Sequence, residues 1–198
     1  MSNELNIDRI DDTVVVRFTR PEIRNPLSVV VLDQLHAVVD DVSSNTVIKK
    51  FIFTGSGDSF ASGADLREIA CVTAENAPDF ARYGQSLMAK VAVLPQTTIA
   101  AINGWCFGGA LDLALSCDVR IASPNAQFAH PGAGLGIITG WGGTQRLPRL
   151  VGTANALEMF FTASTIDAEK ALSIGLIDRI SPDPVAESLA KISQSASS

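Results

Sequence analysis

The chain has 198 residues, a formal net charge of −6 and a composition that is 46% hydrophobic. That length supports one domain with a sizeable core and leaves no room for a second full one. The acidic balance excludes a phosphate-backbone binder, which needs a basic face to release counterions, and no apolar stretch is long enough to span a bilayer as a helix. The amino terminus, Met1-Ser2-Asn3-Glu4, lacks the basic-then-apolar layout of a signal peptide, so a reducing, cytoplasmic setting is expected. Cys71, Cys106 and Cys117 cannot all pair and have no histidine at ligand spacing, so they read as buried small hydrophobes.

In chain order, residues 5–10 and 13–19 read as two strands joined by a turn at Asp11 and Asp12, a hairpin signal. Pro21 and Pro26 hold an extended connection. Ser28 caps a helix through about Ser43, whose apolar positions Val31, Leu32, Leu35, Val38, Val39 and Val42 keep a 3.6-residue period and leave His36 on the surface. Residues 48–54 form a buried strand. The loop after it, 55–58, lacks the lysine and hydroxyl of a phosphate cradle. Helices are expected at 65–72 and 79–93, the second ended by Pro95, then a strand at 97–102, a buried helix from Gly108 and a strand at 119–122. Residues 131–143, with six glycines, read as a permissive loop. Helical patterns follow at 153–162, 168–174 and 184–192, before a Ser-rich end that looks frayed. Strands alternating with helices through short connections imply an α/β fold with a largely parallel sheet.

Two glycine-bearing turns stand out: Ser59-Phe60-Ala61-Ser62-Gly63-Ala64-Asp65, and Asn103 through Ala110 with Gly104, Gly108 and Gly109. Each follows a hydrophobic run and opens into a helical pattern. Such turns can aim two backbone amides at one point, the device that stabilises an oxyanion on a carbonyl or thioester. The same amides can equally serve helix ends, and spacing alone leaves both readings open. Arg20, Arg24, Lys49, Lys50 and Arg67 fall in the first third of the chain. They read either as a local basic patch for a phosphorylated small molecule or as scattered solvated charges.

Taken in order, Ser59 to Leu66, then Ala101-Ile102-Asn103-Gly104 through Gly109 and Asp118, then Gly140-Trp141-Gly142-Gly143-Thr144-Gln145-Arg146-Leu147, and finally Ala168 to Ile177, resemble the crotonase family, also called the enoyl-CoA hydratase/isomerase superfamily. The resemblance implies a spiral core of repeated ββα units, acyl-CoA thioester substrates and a homotrimer or dimer of trimers. It implies one domain over 1–198, with the core at about 5–180 and a shortened helical segment at 183–198. Relatives usually run on for further helices that cover the site, so a trimmed chain or a reduced lid with a more open pocket is expected. Coenzyme A enters only as part of the substrate. No dinucleotide fingerprint or ligand cluster suggests a flavin, nicotinamide or metal.

By motif position the thioester oxygen would take its two hydrogen bonds from the amides of Ala64 and Gly109. The substrate-binding set that accompanies them is Arg24, Ala61, Ser62, Gly63, Asp65, Leu66, Trp105, Gly108, Gly132 and Trp141. Hydratases of this kind carry two glutamates; here the first place holds Asp112 and the second Gly132. Gly140 stands where some relatives carry an aspartate. Asp112 is thus the one carboxylate left at a family catalytic position, and it reads either as a base or as a partner of its own helix terminus. His130, two residues before Gly132, reads either as a substitute acid/base or as a structural histidine. Trp105 and Trp141 read as pocket walls or as core, and Tyr83 as a residue that could reach the acyl cavity. Enoyl-CoA hydration or isomerisation follows as the main reading. Decarboxylation or thioester hydrolysis, which dispense with a second carboxylate, and a non-catalytic acyl-CoA-binding paralogue are the alternatives.

Overall fold

The hairpin comes first because Asp11 accepts the left-handed backbone (φ 52°) that a tight turn requires. It pairs β1 (Leu5–Ile10) antiparallel with β2 (Thr13–Phe18) in a computed structural model that describes residues 4–190. A short 3-10 turn over Pro21–Ile23 leads into α1 (Val29–Ser44), where Ser28 Oγ accepts from the Val31 amide as the cap signal predicts.

Two strands and a helix then recur three times. The first unit is β3 (Lys50–Thr54), β4 (Ser59–Ala61) and α2 (Leu66–Ile69). After α3 (Ala77–Ala92) comes the second, β5 (Thr97–Ile102), β6 (Trp105–Phe107) and α4 (Gly109–Ala114). The third is β7 (Val119–Ala122), β8 (Gln127–Ala129) and α5 (Gly132–Leu135). The chain continues through α6 (Gly143–Val151), α7 (Thr153–Thr162), β9 (Ile166–Asp167), α8 (Ala168–Ser173), β10 (Arg179–Ile180) and α9 (Pro184–Leu189).

The first strand of each unit joins one sheet, ordered β1-β2-β3-β5-β7-β10, and the second joins another, ordered β4-β6-β8-β9. Pairing is parallel except in the hairpin and between β8 and β9. The two-residue side-chain period divides the large sheet's core. Val14, Val16, Phe51, Phe53, Ala100 and Ile102 face the main cluster with α1 and α3, while Val15, Ile52, Ile99, Ala101 and Ile121 lie under Val185 and Leu189 of α9.

Several expectations shift. The strand foreseen from Ile48 begins at Lys50, because the amides of Lys49 and Lys50 both turn to Asp12 O. Within 131–143 the chain is not all loop: it holds α5 and the start of α6, a helix whose entry through Gly142 and internal Pro148 disguise it. Cys71 is exposed, unlike Cys106 and Cys117, because it lies on the turn after α2. His36 is half-buried, stacked on Tyr83 with ring centroids 4.8 Å apart. Tyr83 does not line the cavity described below and donates to Asp33 Oδ1. The Ser-rich end and the last part of the helix foreseen at 184–192 lie outside the described residues.

The basic residues of the first third do not pool. Arg20 pairs with Glu4 and Arg67 with Asp65, Lys49 donates to Thr46 O, and Lys50 donates to the carbonyls of Ser188, Leu189 and Ala190. Arg24 lies over the Trp105 ring at 4.0 Å.

Asn25 pins the approach to the first glycine turn. It is 1% exposed at φ 50°, its Nδ2 donates to Ser59 O at 2.8 Å and Ser56 O at 3.1 Å, and its Oδ1 accepts from the Arg20 amide at 2.8 Å. Asn25→Ala removes these bonds, leaves Ser59 O with the Asn103 Nδ2 donor at 3.1 Å, puts alanine at a left-handed φ, and should lower stability by about 2–3 kcal/mol. Urea unfolding checks it, as a lower midpoint at an unchanged slope.

Candidate active site

Strands β4, β6 and β8 are parallel neighbours, so their carboxyl ends meet at one edge of the small sheet. Each end turns there into a helix. Gly63 and Ala64 lead to α2, Gly108 and Gly109 to α4, and His130 and Pro131 to α5. Repetition of one unit is what brings residues from three distant segments to the same place.

Gly63 sits at φ 91°, and a Cβ on it would lie 2.7 Å from Phe107 O and 2.9 Å from the Gly109 nitrogen, so the first two turns abut. From the other side, a Cβ on Gly109 would stand 3.5 Å from the Ala64 nitrogen. The neighbouring Gly63 carbonyl accepts from the Leu27 amide at 2.8 Å, whereas the amides of Ala64 and Gly109 donate to no protein group among the described residues. Two unspent donors therefore stand together. Both border a cavity of about 300 Å³. Its remaining wall is mostly apolar, with Leu66, Phe80, Leu135, Ile138 and Trp141 beside Ser62 and Thr139, and among the described residues His130 is its one titratable side chain.

Behind His130 lies Asp112, in the first turn of α4; the two are 3% and 0% exposed. His130 Nε2 stands 3.7 Å from Asp112 Oδ1. Among the described residues neither ring nitrogen has a hydrogen-bond partner, and Oδ1 has none either, while Thr139 Oγ1 donates to Oδ2. Burial pushes the Asp112 carboxyl up to about 6, against the pull of Thr139 and the amides of Trp141 and Gly143. Burial also drives the His130 imidazole down to about 4. Near neutral pH the pair is thus an ionised carboxylate behind a neutral ring, which can accept a proton and have the resulting charge compensated.

Gly143 is the floor under this pair. A Cβ there would collide with Asp112 Oδ1 and approach Thr139 Cγ2 to 2.8 Å and His130 Cε1 to 3.1 Å. Gly143→Ala should therefore displace both side chains and lower kcat about 10²-fold, the order expected for misplacing a reacting group by an ångström. Steady-state kinetics beside circular dichroism would separate this from unfolding.

Of the residues singled out in the sequence, Ser62, Gly63, Ala64, Leu66, Gly108, Gly109, His130, Gly132 and Trp141 line the cavity. Four others do not. Ala61 is fully buried within β4, Asp65 caps α2 and binds Arg67, and Arg24 and Trp105 stack on each other. Asp112 is one layer back, screened from the cavity. Trp141 serves as both wall and core, packing on Phe80 with centroids 5.8 Å apart. Gly132 has no room for a side chain, because a Cβ would lie 2.5 Å from Ile137 O; at Gly140 the nearest atom is the Ala81 Cβ at 3.9 Å. Thr139, Phe80 and Ile138 escaped sequence reading, since neither motif nor period marks a residue that reaches the site from the irregular 136–142 segment or from a distant helix.

Comparisons with known proteins give the family and the fold. The Enoyl-CoA hydratase/isomerase family profile matches residues 9–195. A short-chain-enoyl-CoA hydratase from Clostridium acetobutylicum is 37% identical over 179 residues, covering 90% of this chain and 69% of its own length. A crotonyl-CoA hydratase from Syntrophomonas wolfei is 38% identical over 175 residues, covering 88% and 67%. Among solved structures, an enoyl-CoA hydratase from Bacillus anthracis superposes with a TM-score of 0.88 at 35% identity, covering 93% of this chain and 72% of that one. With the repeated ββα units and the paired turns, these matches place the chain in the enoyl-CoA hydratase/isomerase family, the crotonase superfamily.

Proposed function

We propose that the protein is an enoyl-CoA hydratase/isomerase-type enzyme acting on an acyl-CoA thioester. The observation that carries this reading is the pair of unspent amides at Ala64 and Gly109 on the wall of an apolar cavity. Fixed donors in a dry site stabilise the charge that gathers on a thioester oxygen as an enolate forms, with little reorganisation.

His130 takes the proton-transfer role because it lines the cavity, and Asp112 is a positioning residue that acts through it. In hydration, His130 accepts a proton from water as the water oxygen bonds to the β-carbon, and the double-bond electrons move onto the thioester oxygen held by the two amides. The electrons then return to form a bond between the α-carbon and the proton that His130 gives back. Water is added across the double bond and the enzyme is restored. Isomerisation uses the same parts, with the proton taken from one carbon and returned to another. A homotrimer and a cytoplasmic setting belong to the same reading, the first checked by light scattering.

The test is loss of enoyl-thioester ultraviolet absorbance with crotonyl-CoA and longer 2-enoyl-CoA substrates, beside double-bond migration from 3-enoyl-CoA. Turnover in either assay that falls sharply in His130→Ala supports the proposal. No turnover of any of these thioesters by folded protein would overturn it.

A further inference from the structure

From the size and chemistry of the cavity we infer that the acyl group is an uncharged chain of about eight to ten carbons, longer than crotonyl. This rests on the acyl-thioester reading above. An apolar cavity of about 150 Å³ takes one benzene, so one of about 300 Å³ takes roughly a dozen non-hydrogen atoms. A four-carbon enoyl group with its thioester oxygen and sulfur fills about half of that. The remainder would stay empty or wet against an apolar wall.

The wall also continues outward. Leu66, Leu135 and Ile138 line the cavity, yet they are 58%, 51% and 65% exposed, forming an apolar lip where a longer chain would cover surface now open to water. Charge narrows the class further. Among the described residues no lysine, arginine, aspartate or glutamate lines the cavity, and behind His130 stands the carboxylate of Asp112, like-signed to any carboxylate on the chain. A terminal carboxylate on the acyl chain would be buried without a partner, at high cost.

The experiment is a series of trans-2-enoyl-CoA substrates from four to twelve carbons, read as kcat/KM, with the matching saturated acyl-CoA series read as equilibrium binding by calorimetry. The expected result is a rise of roughly tenfold per two added carbons up to about eight to ten, then a plateau, following the value of each buried methylene. A chain of the same length ending in a carboxylate should bind at least about 100-fold more weakly. Ala81→Phe and Ala77→Phe, which put a ring into the cavity from α3, should each collapse the eight-to-four-carbon ratio. A wild-type series that is flat or best at four carbons overturns the inference. Length-dependent binding without turnover sustains it while removing the catalytic reading, and binding without length dependence overturns it whatever the turnover.

Discussion

Ala64→Pro lowers kcat by at least about 10²–10³-fold, the loss expected when one of two oxyanion donors is removed. Proline deletes the amide hydrogen and puts its Cδ in that hydrogen's place, so KM should rise as well. The contact that fixes this turn survives, because Leu27 donates to the Gly63 carbonyl and does not use the Ala64 amide. Ala64→Gly is the matched control. It keeps the amide and should stay within severalfold of the parent. Equal activity in the proline variant and the parent would remove this amide from the chemistry, and equal losses in both variants would point to packing instead.

His130→Ala lowers kcat by about 10²–10⁴-fold, the range for losing a general acid/base. Asp112→Asn keeps the shape and removes the charge, so it should cost less and alter the pH profile. In the parent, turnover should fall as pH drops through about 6, where the Asp112 carboxylate takes up a proton. Asp112→Asn should lose that limb. A merely structural aspartate would leave the profile's shape unchanged. Stability gives an independent sign. Asp112 is raised from 3.8 to about 6, so the native state holds a proton that the unfolded chain releases, and this group makes stability fall as pH rises through that window. His130 is lowered from 6.5 to about 4, so the native state lacks a proton that the unfolded chain keeps, and this group makes stability rise with pH. The two slopes oppose one another in the parent. Asp112→Asn leaves the histidine slope alone and should lose stability more steeply between about pH 6.5 and pH 4 in denaturant titrations.

Strong periodic segments were legible in the sequence. The strand at 97–102 and the helix after Ser28 follow from alternation, 3.6-residue spacing and a hydroxyl cap, and the structure places both within a residue. The small sheet was not legible from the residues, because β4, β6 and β8 span three residues each and no period shows over so short a run. The family resemblance supplied the repeat that residue patterns could not. Helix α6 hid because Gly142 and Gly143 fell in the segment read as a permissive loop and Pro148 lies inside the helix, although Gly142 at φ 112° is the turn that starts it.

The site divides along the same line. Glycine turns before helices leave a sequence mark, but it was the family resemblance that singled out Ala64 and Gly109; their amides donate to no protein group among the described residues and border one cavity. The closeness of Asp112 and His130 is a tertiary fact, since it depends on α4 following β6 while His130 follows β8 one strand over. That Asp112 is screened from the cavity, and that Gly132 has no space for a family glutamate, arise from how 130–143 folds back on itself. No linear pattern encodes that path.

The central claim, that the nitrogens of Ala64 and Gly109 jointly hold a thioester oxygen, is tested most directly by a crystal structure with an unreactive acyl-CoA analogue bound. The account predicts that oxygen about 2.7–3.1 Å from both nitrogens, with the acyl chain against Phe80 and Ile138. A thioester bound elsewhere, or with its oxygen turned from either amide, would contradict it.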